Sequence, residues 1–328
     1  MSRGKWFEQE QDMQIAAEAL NTSLAGKTGP AWLSALEDLS EDTGYFQPLN
    51  ARHCAAFVDG GKTLLVTFET QDSIQKLSDY AQPLGFDLAR EERWSVLSLI
   101  SEGQTWFRDP SVYRYFDRLI DDGFFEDFDR VVFYGAGSCG YAACAFSVAA
   151  PGADVLALSP QATLDPRVTE WDDRFRKMRR VSFSDRYGYA PDMLDAANEA
   201  TILYDPQIDV DAMHASLFTR ANVNKLRMPY YGAHLDAQLV RLGVLNELLL
   251  EMGNGTFTPS TFFNIHRQRR QDRNYLRALA GELEDQGRWG LAKSVYRHAA
   301  DELSAPRFRK RLEQIEAREA RLANGEDG

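Results

Sequence analysis

Three polar residues of this sequence, Ser138, Asp205 and His234, stand in an order that could support nucleophilic chemistry. Small residues lie two positions before and two positions after Ser138, as a strained strand-to-helix turn requires around a nucleophile. Asp205 follows a strand-like run at 202–204, and His234 follows another at 223–228. In such a set Asp205 would orient the imidazole, and His234 would take the serine proton. The order therefore predicts attack on an ester, thioester or related acyl bond of a small metabolite.

The same turn allows a second register, in which Gly137 rather than Ser138 occupies its apex. If Gly135 closes the preceding strand, the nucleophile position two residues later falls on Gly137, and glycine carries no nucleophile. In the first register the amide of Cys139 and the following helix N-terminus would stabilise the oxyanion. In the second register the turn is catalytically empty. The sequence thus leaves open a serine hydrolase and an inactive scaffold or binding protein.

Two further interpretations of this turn remain. Gly135, Gly137 and Gly140 match the G-x-G-x-x-G pattern of dinucleotide-binding turns, which would bind NAD(P). Several strand-like runs precede the pattern, however, and the next strand ends in Ser159 rather than in an acidic residue for the ribose. Cys139 at the helix N-terminus is a second potential nucleophile, since that position lowers a thiol pKa. Neither register places Cys139 at the apex, which favours a small core residue.

The turn must be held between a buried strand and a buried helix. Residues 131–134 are β-branched or aromatic, and residues 139–150 are apolar enough for a buried helix. Six other strand-like runs lie at 54–58, 63–68, 94–100, 154–158, 202–204 and 223–228. Because strands alternate with helices, we predict a mostly parallel α/β sheet covered on both faces. The turn residues at 59–62 predict a hairpin that forms an antiparallel edge.

Composition shifts along the chain predict three segments. Residues 1–50 have a polar helical pattern, residues 51–257 form the α/β domain, and residues 258–328 lack strand signals and form a C-terminal helical region. Two helices at 275–283 and 289–303 are typical of one tetratricopeptide-like repeat or of an ordinary helical hairpin. One such repeat cannot bury its apolar face alone. We therefore expect it to pack on the α/β domain or on another subunit.

A lid-like insertion is expected at about 165–197. Its stretch 174–180 contains four arginines and one lysine, which could recognise an anionic substrate above the cleft. The alternative is a solvated amphipathic helix with Phe175 and Met178 facing inward.

The glycine turn resembles that of a group of bacterial α/β-hydrolase-like proteins. Residues 134–143 read Tyr-Gly-Ala-Gly-Ser-Cys-Gly-Tyr-Ala-Ala, where the group has Tyr-Gly-Ser-Ser-Met-Gly-Gly-Tyr-Ala-Ala. Segments 105–107 and 159–161 also lie where that group has similar ones, and a weak similarity extends over about 64–250. The resemblance implies an α/β-hydrolase-like fold. It also implies that the group's nucleophilic serine falls on Gly137.

Over nearly its whole length the chain also resembles a set of bacterial proteins often labelled phosphoadenosine phosphosulfate reductase. A thiol reductase of that kind needs a reactive cysteine near its C-terminus, typically in Glu-Cys-Gly-Leu-His, and a serine-rich phosphate loop after its first strand. This sequence has no cysteine after Cys144 and no such loop. The residues therefore predict against reductase activity.

Length, charge and cysteine content bound the remaining possibilities. The 328 residues carry a net charge of −12, which argues against binding to nucleic acid or to anionic membranes. The first twenty residues contain no apolar signal segment, and no run of about 18 apolar residues occurs. Cys54, Cys139 and Cys144 lack zinc-ligand spacing and favour a reducing, cytoplasmic compartment. We expect no cofactor or metal, and as partner a small-molecule substrate or a protein bound through the C-terminal helices.

Overall fold

The computed structural model of this protein describes residues 19–323. The strands are β1 (Gly44–Asn50), β2 (His53–Val58), β3 (Thr63–Thr70), β4 (Ser95–Ser101), β5 (Arg130–Ala136), β6 (Asp154–Leu158), β7 (Ala200–Tyr204) and β8 (Val223–Arg227). The α-helices are α1 (Gly29–Thr43), α2 (Gln71–Leu77), α3 (Gly85–Glu92), α4 (Pro110–Asp121), α5 (Ser138–Phe146), α6 (Pro166–Thr169), α7 (Ala190–Met193), α8 (Asp209–Ser216), α9 (Leu235–Arg241), α10 (Val244–Gly253), α11 (Pro259–Ile265), α12 (Arg273–Asp285), α13 (Trp289–Glu302) and α14 (Pro306–Ala323).

The eight strands form one sheet in the order β1-β2-β4-β3-β5-β6-β7-β8. β1 and β2 run antiparallel to their neighbours, and every pair from β4 onward is parallel. The crossover that places β3 between β4 and β5, together with the sharp turn from β5 into α5, gives the α/β-hydrolase-like fold that the sequence predicts. The mostly parallel sheet with helices on both faces is therefore confirmed.

The hairpin predicted at 59–62 is wrong, because β4 lies between β2 and β3. The Gly61 amide donates instead to the Arg93 carbonyl oxygen at 2.6 Å, and a side chain on Gly60 would collide with the Arg93 and Trp94 backbone. The glycines thus allow close approach to the chain entering β4 rather than a two-strand turn. The segment 44–50, which the sequence analysis places in an N-terminal helical region, forms the edge strand β1.

Two apolar cores cover the sheet faces. One contains the central helix α5, all of whose residues are buried, and it packs through Phe146 against Phe68 and Phe116. The other core lies on the opposite face and runs without a break from Trp32 to the C-terminal helices. Burial of α5 on every side explains why its sequence is apolar all round.

The C-terminal region contains three described helices after Asp272, α12, α13 and α14, rather than a simple pair. Tyr275 of α12 packs against the rings of Tyr230 and Tyr231, which belong to the loop after β8. Arg241 of α9 forms an ion pair with Asp272 at the start of α12. These contacts attach the helical region to the loop that carries His234.

Candidate functional site

A cleft of about 880 Å³ lies at the carboxyl edge of the parallel strands. Its walls include Glu69 at the end of β3, the turn at Gly137 and Ser138, Phe175 of the insertion, and His234 after β8. Ligands of open α/β sheets bind outside the carboxyl ends of the strands, where the strand order changes direction. The cleft is therefore the candidate site of this protein.

Gly137 occupies the apex of the turn between β5 and α5. Its backbone has φ +57° and ψ −119°, a region that side chains other than glycine rarely adopt. The Gly137 amide donates to the Leu158 carbonyl oxygen at 2.8 Å, and its carbonyl oxygen accepts from the Tyr141 amide at 3.0 Å. A Cβ added at Gly137 would meet no atom within 4 Å. The position that a nucleophile would fill is therefore open space beside the cleft.

The two outer glycines have a packing role. A Cβ on Gly135 would lie within 3.0 Å of the Cys139 carbonyl group, and one on Gly140 would lie 3.1 Å from the Gly135 carbonyl oxygen. Both positions thus allow the close crossing of β5 and α5. β6 ends at Leu158 and is followed by Ser159 with φ +42°, not by an acidic residue. Dinucleotide binding at this turn stays a prediction.

Ser138 is the first residue of α5 and is only 7% exposed. It lines the cleft, and its hydroxyl hydrogen-bonds to the neighbouring Cys139 thiol. Burial, with a smaller contribution from the Glu69 charge, raises the pKa of Cys139 well above its usual range despite that hydrogen bond. The Cys139 thiol therefore stays protonated at neutral pH, which disfavours it as a nucleophile.

The Asp205 carboxylate accepts hydrogen bonds from backbone amides of the loops after β7 and β8. Oδ1 accepts from the Gln207 amide at 2.9 Å, and Oδ2 accepts from the Tyr231 and Gly232 amides at 2.8 and 2.7 Å. The His234 side chain is exposed, and its imidazole forms no hydrogen bond with any residue between 19 and 323; only its backbone carbonyl accepts, from the Gln238 amide at 3.3 Å. Asp205 therefore holds the loop that carries His234, while no bond joins its carboxylate to the imidazole.

The structure thus brings only part of the sequence-predicted set together. Ser138 and His234 line the same cleft, whereas Asp205 is buried behind it. Among the described residues, no hydrogen bond links Ser138 to His234 or His234 to Asp205. Gly137, not Ser138, takes the apex of the turn, and Cys139 has a buried side chain that borders the cleft. The oxyanion role of the Cys139 amide stays a prediction.

Two cleft residues were missed by the sequence analysis. Glu69 is 8% exposed, and its carboxyl accepts from the Thr67 hydroxyl at 2.7 Å and from the Leu84 amide at 3.1 Å. Burial raises the pKa of Glu69 to about 7. Tyr134 of β5 is 4% exposed, and its hydroxyl forms no hydrogen bond within the described chain. The signal for Glu69 was an acid at the carboxyl end of an apolar strand, and Tyr134 gave none beyond its place in a strand.

The basic insertion folds back on acidic residues. Arg174 pairs with Asp172 at 2.8 Å and with Asp211 at 2.7 Å. Asp172 also accepts from Nε2 of the buried His214 at 3.0 Å, while Nδ1 of His214 accepts from the Ala162 amide at 3.2 Å. Both His214 nitrogens are thereby occupied, and Arg174 reaches the cleft wall already neutralised. Recognition of an anionic substrate by this insertion stays a prediction.

No protein-family model matches this chain, and no curated protein matches its sequence. A comparison of structures finds esterases. Est1E from Butyrivibrio proteoclasticus is 14% identical, with a TM-score of 0.36, over 60% of this chain and 95% of that chain. EstE1, a thermophilic carboxylesterase cloned from a metagenomic library, is 11% identical, with a TM-score of 0.40, over 76% and 96%. An esterase from Pyrobaculum calidifontis is 13% identical, with a TM-score of 0.41, over 75% and 92%.

At such low identities and TM-scores these likenesses carry no argument about activity. The fold assignment rests on the strand order and on the turn at Gly137. Within residues 19–323, no helix combines the length and apolar character needed to cross a bilayer.

Proposed function

We propose that this protein binds a small molecule in the cleft above Gly137 and does not form a covalent intermediate with it. The observation that carries the proposal is the glycine at the apex of the turn, with open space where a nucleophilic side chain would stand. Covalent catalysis by this fold requires a nucleophile at that point. The cleft volume of about 880 Å³ falls in the range of small-molecule sites.

The surroundings of the turn support binding without hydrolysis. Asp205 accepts backbone amides with both carboxylate oxygens, and no hydrogen bond joins it to the His234 imidazole. A histidine without an orienting partner is a poor general base in a triad. The neighbouring Cys139 thiol is buried and protonated. We also infer, from three buried cysteines that form no disulfide, that the protein works in a reducing compartment such as the cytoplasm.

A fluorophosphonate probe tests this proposal because it reacts with activated serine hydroxyls. We expect the folded protein to remain unlabelled, and Ser138→Ala to behave identically. Labelling of the native protein that disappears in Ser138→Ala would refute the proposal and support the alternative.

The alternative is a serine hydrolase that uses Ser138 itself. One observation favours it, since Ser138 and His234 line the same cleft. Ligand binding would then have to bring the Ser138 hydroxyl and the imidazole within about 3.2 Å. Stoichiometric labelling at Ser138 is the result that this alternative requires.

A further inference from the structure

The Lys and Arg side chains of the cleft wall all form ion pairs, whereas several of its carboxyl groups form none within the described chain. Each Lys or Arg that lines it already has a carboxylate partner: Lys76 pairs with Asp72 at 2.7 Å, Arg90 with Asp87 at 2.8 Å, and Arg174 with Asp172 and Asp211. An anionic ligand would therefore compete with a carboxylate for each Lys or Arg of the wall.

Four carboxyl groups of the wall, in contrast, form no ion pair within residues 19–323. These are Glu69, Asp79, Glu91 and Asp236. Asp79 and Glu91 are exposed at the rim, whereas Glu69 is buried at the end of β3. A buried carboxyl without a cation is costly to ionise, and a positively charged ligand would remove that cost.

A tyrosine whose hydroxyl has no protein partner within the described chain lines the cleft together with these carboxyls. Tyr134 is 4% exposed and lines the cleft, and its hydroxyl forms no hydrogen bond with a described residue. Burial first, and then the charges of Asp236 and Glu69, raise the pKa of the Tyr134 hydroxyl well above its usual range. Buried phenol hydroxyls normally have a hydrogen-bond partner. The Tyr134 hydroxyl has none within the described chain, so a ligand in the cleft can supply it.

We propose that Tyr134, Glu69 and Asp236 receive the ammonium group of an organic cation, a primary amine with an apolar body. A primary ammonium has three N–H donors, which match one phenol and two carboxyl acceptors. Apolar side chains of the same cleft, among them Phe68, Leu158 and Val240, would contact the body of the ligand. This inference rests on the proposed function, because it names the class of ligand bound in the same cleft.

A metal ion fits these residues less well than an ammonium group. Within the part of the chain that the structure describes, no three His, Cys, Asp or Glu side chains gather as metal ligands do. Protein sites for hard cations are built from several oxygen ligands. The phenol and the two carboxyls are instead suited to accept hydrogen bonds.

Isothermal titration calorimetry with n-hexylamine, 1-hexanol and hexanoate tests the charge preference, since the three probes share one chain and differ in the head group. We expect hexylamine to bind the native protein at least about tenfold more tightly than either control. Tyr134→Phe and Glu69→Gln should each weaken hexylamine binding about tenfold. Glu91→Gln, the same charge change at the exposed rim, should leave the affinity within about twofold.

Proton release gives a second readout. The titratable groups that act on Glu69 are Asp87, Tyr134 and Cys139, none of which is a cation, and Asp87 is itself paired with Arg90 at 2.8 Å. Binding of an ammonium group should ionise Glu69, so the heat of hexylamine binding near pH 7 should vary with the ionisation enthalpy of the buffer. Glu69→Gln should remove that dependence.

The outcomes separate this inference from the proposed function. Equal binding of hexylamine and hexanol, preference for hexanoate, absence of hexylamine binding, or unchanged affinity in Tyr134→Phe each overturns the ammonium site. Tyr134→Phe keeps the test valid if Glu69→Gln does not fold, because its hydroxyl has no protein partner to lose. Labelling of Ser138 by a fluorophosphonate overturns the non-covalent function instead.

Discussion

Replacement of Gly137 by alanine tests the assignment of the apex directly. The Gly137 backbone lies at φ +57° and ψ −119°, where a side chain costs about 1–3 kcal/mol in strain. The added Cβ meets nothing within 4 Å, so no collision adds to that cost. Alanine also restricts the unfolded chain, which offsets about 0.4–1 kcal/mol. We expect Gly137→Ala to lower the free energy of unfolding by about 1–2 kcal/mol.

The expected change in melting temperature is small. The unfolding entropy is about 2.1 cal/mol/K per residue, so over a chain of this length a loss of about 1–2 kcal/mol lowers the melting temperature by about 1.5–3 °C. Differential scanning calorimetry at fixed pH measures this shift. The folded fraction should stay close to that of the native protein at 25 °C.

Two other glycines provide matched controls. Gly152 has φ +86°, is exposed and also leaves an added Cβ free of contacts, so Gly152→Ala should cost about as much as Gly137→Ala. Gly135 lies two residues before the apex, and its Cβ would fall within 3.0 Å of the Cys139 carbonyl group. Gly135→Ala should therefore cost more than about 3 kcal/mol, because β5 and α5 must separate.

A reversal of this order would contradict the assignment of the apex to Gly137. If Gly135→Ala were tolerated and Gly137→Ala unfolded the protein, the apex would not lie at Gly137. A stabilised Gly137→Ala variant would likewise show that the residue does not hold a positive φ in solution.

Four further predictions concern the residues around the cleft and the buried histidines. Asp205→Ala should lower the free energy of unfolding, measured by urea titration, by about 2–4 kcal/mol, because buried backbone amides lose their acceptor. His234→Ala should change it by less than about 0.5 kcal/mol. Equal losses in the two variants would contradict the role of Asp205 in holding this loop. Gly137→Ser should gain no hydrolysis of p-nitrophenyl acetate, since Asp205 does not reach His234, and a burst of nitrophenol would show that it does. Burial lowers the pKa of His53 to about 4 and that of His266 to about 3, so as the pH falls both residues bind protons in the unfolded chain before they do so in the folded one. The free energy of unfolding should therefore decrease as the pH drops below about 6.5 and continue to decrease until about pH 3–4. A flat profile over that range would exclude the effect. Burial raises the pKa of Glu69 to about 7, so the protonated carboxyl stabilises the fold fully below about pH 4.5, and this stabilisation is lost as the pH rises through 7. The free energy of unfolding of Glu69→Gln, relative to that of the native protein, should therefore rise by about 2 kcal/mol between pH 5 and pH 8. A difference independent of pH would contradict the buried carboxyl.

Local patterns were sufficient for the α/β architecture. Runs of β-branched and aromatic residues marked seven of the eight strands, and alternation with helices predicted the parallel sheet. β1 was not predicted, because its residues are only partly buried and include a proline, which edge strands tolerate. The expected hairpin failed because turn residues report a local bend, while strand pairing depends on which distant strand lies alongside.

The glycines and small residues of the turn were visible in the sequence, but the identity of its apex was not. That identity depends on where β5 ends, and the pairing of Ala136 with Leu158 of β6 carries the strand to Ala136. Only then does Gly137 take the strained position and Ser138 enter α5.

The order of Ser138, Asp205 and His234 could likewise be read from the sequence alone, since all three follow strand-like runs. The path of the loop after β8 determines which donors reach the Asp205 carboxylate, because a carboxylate accepts from any amide that the fold brings within hydrogen-bond distance. Burial of Glu69 and Tyr134 is also a property of the packed molecule. Local sequence patterns specify the helices, the strands and the sheet edge that borders the cleft. The side chains that meet in the cleft follow from the packed chain, because the hydrogen-bond partners and the burial of a residue depend on distant segments.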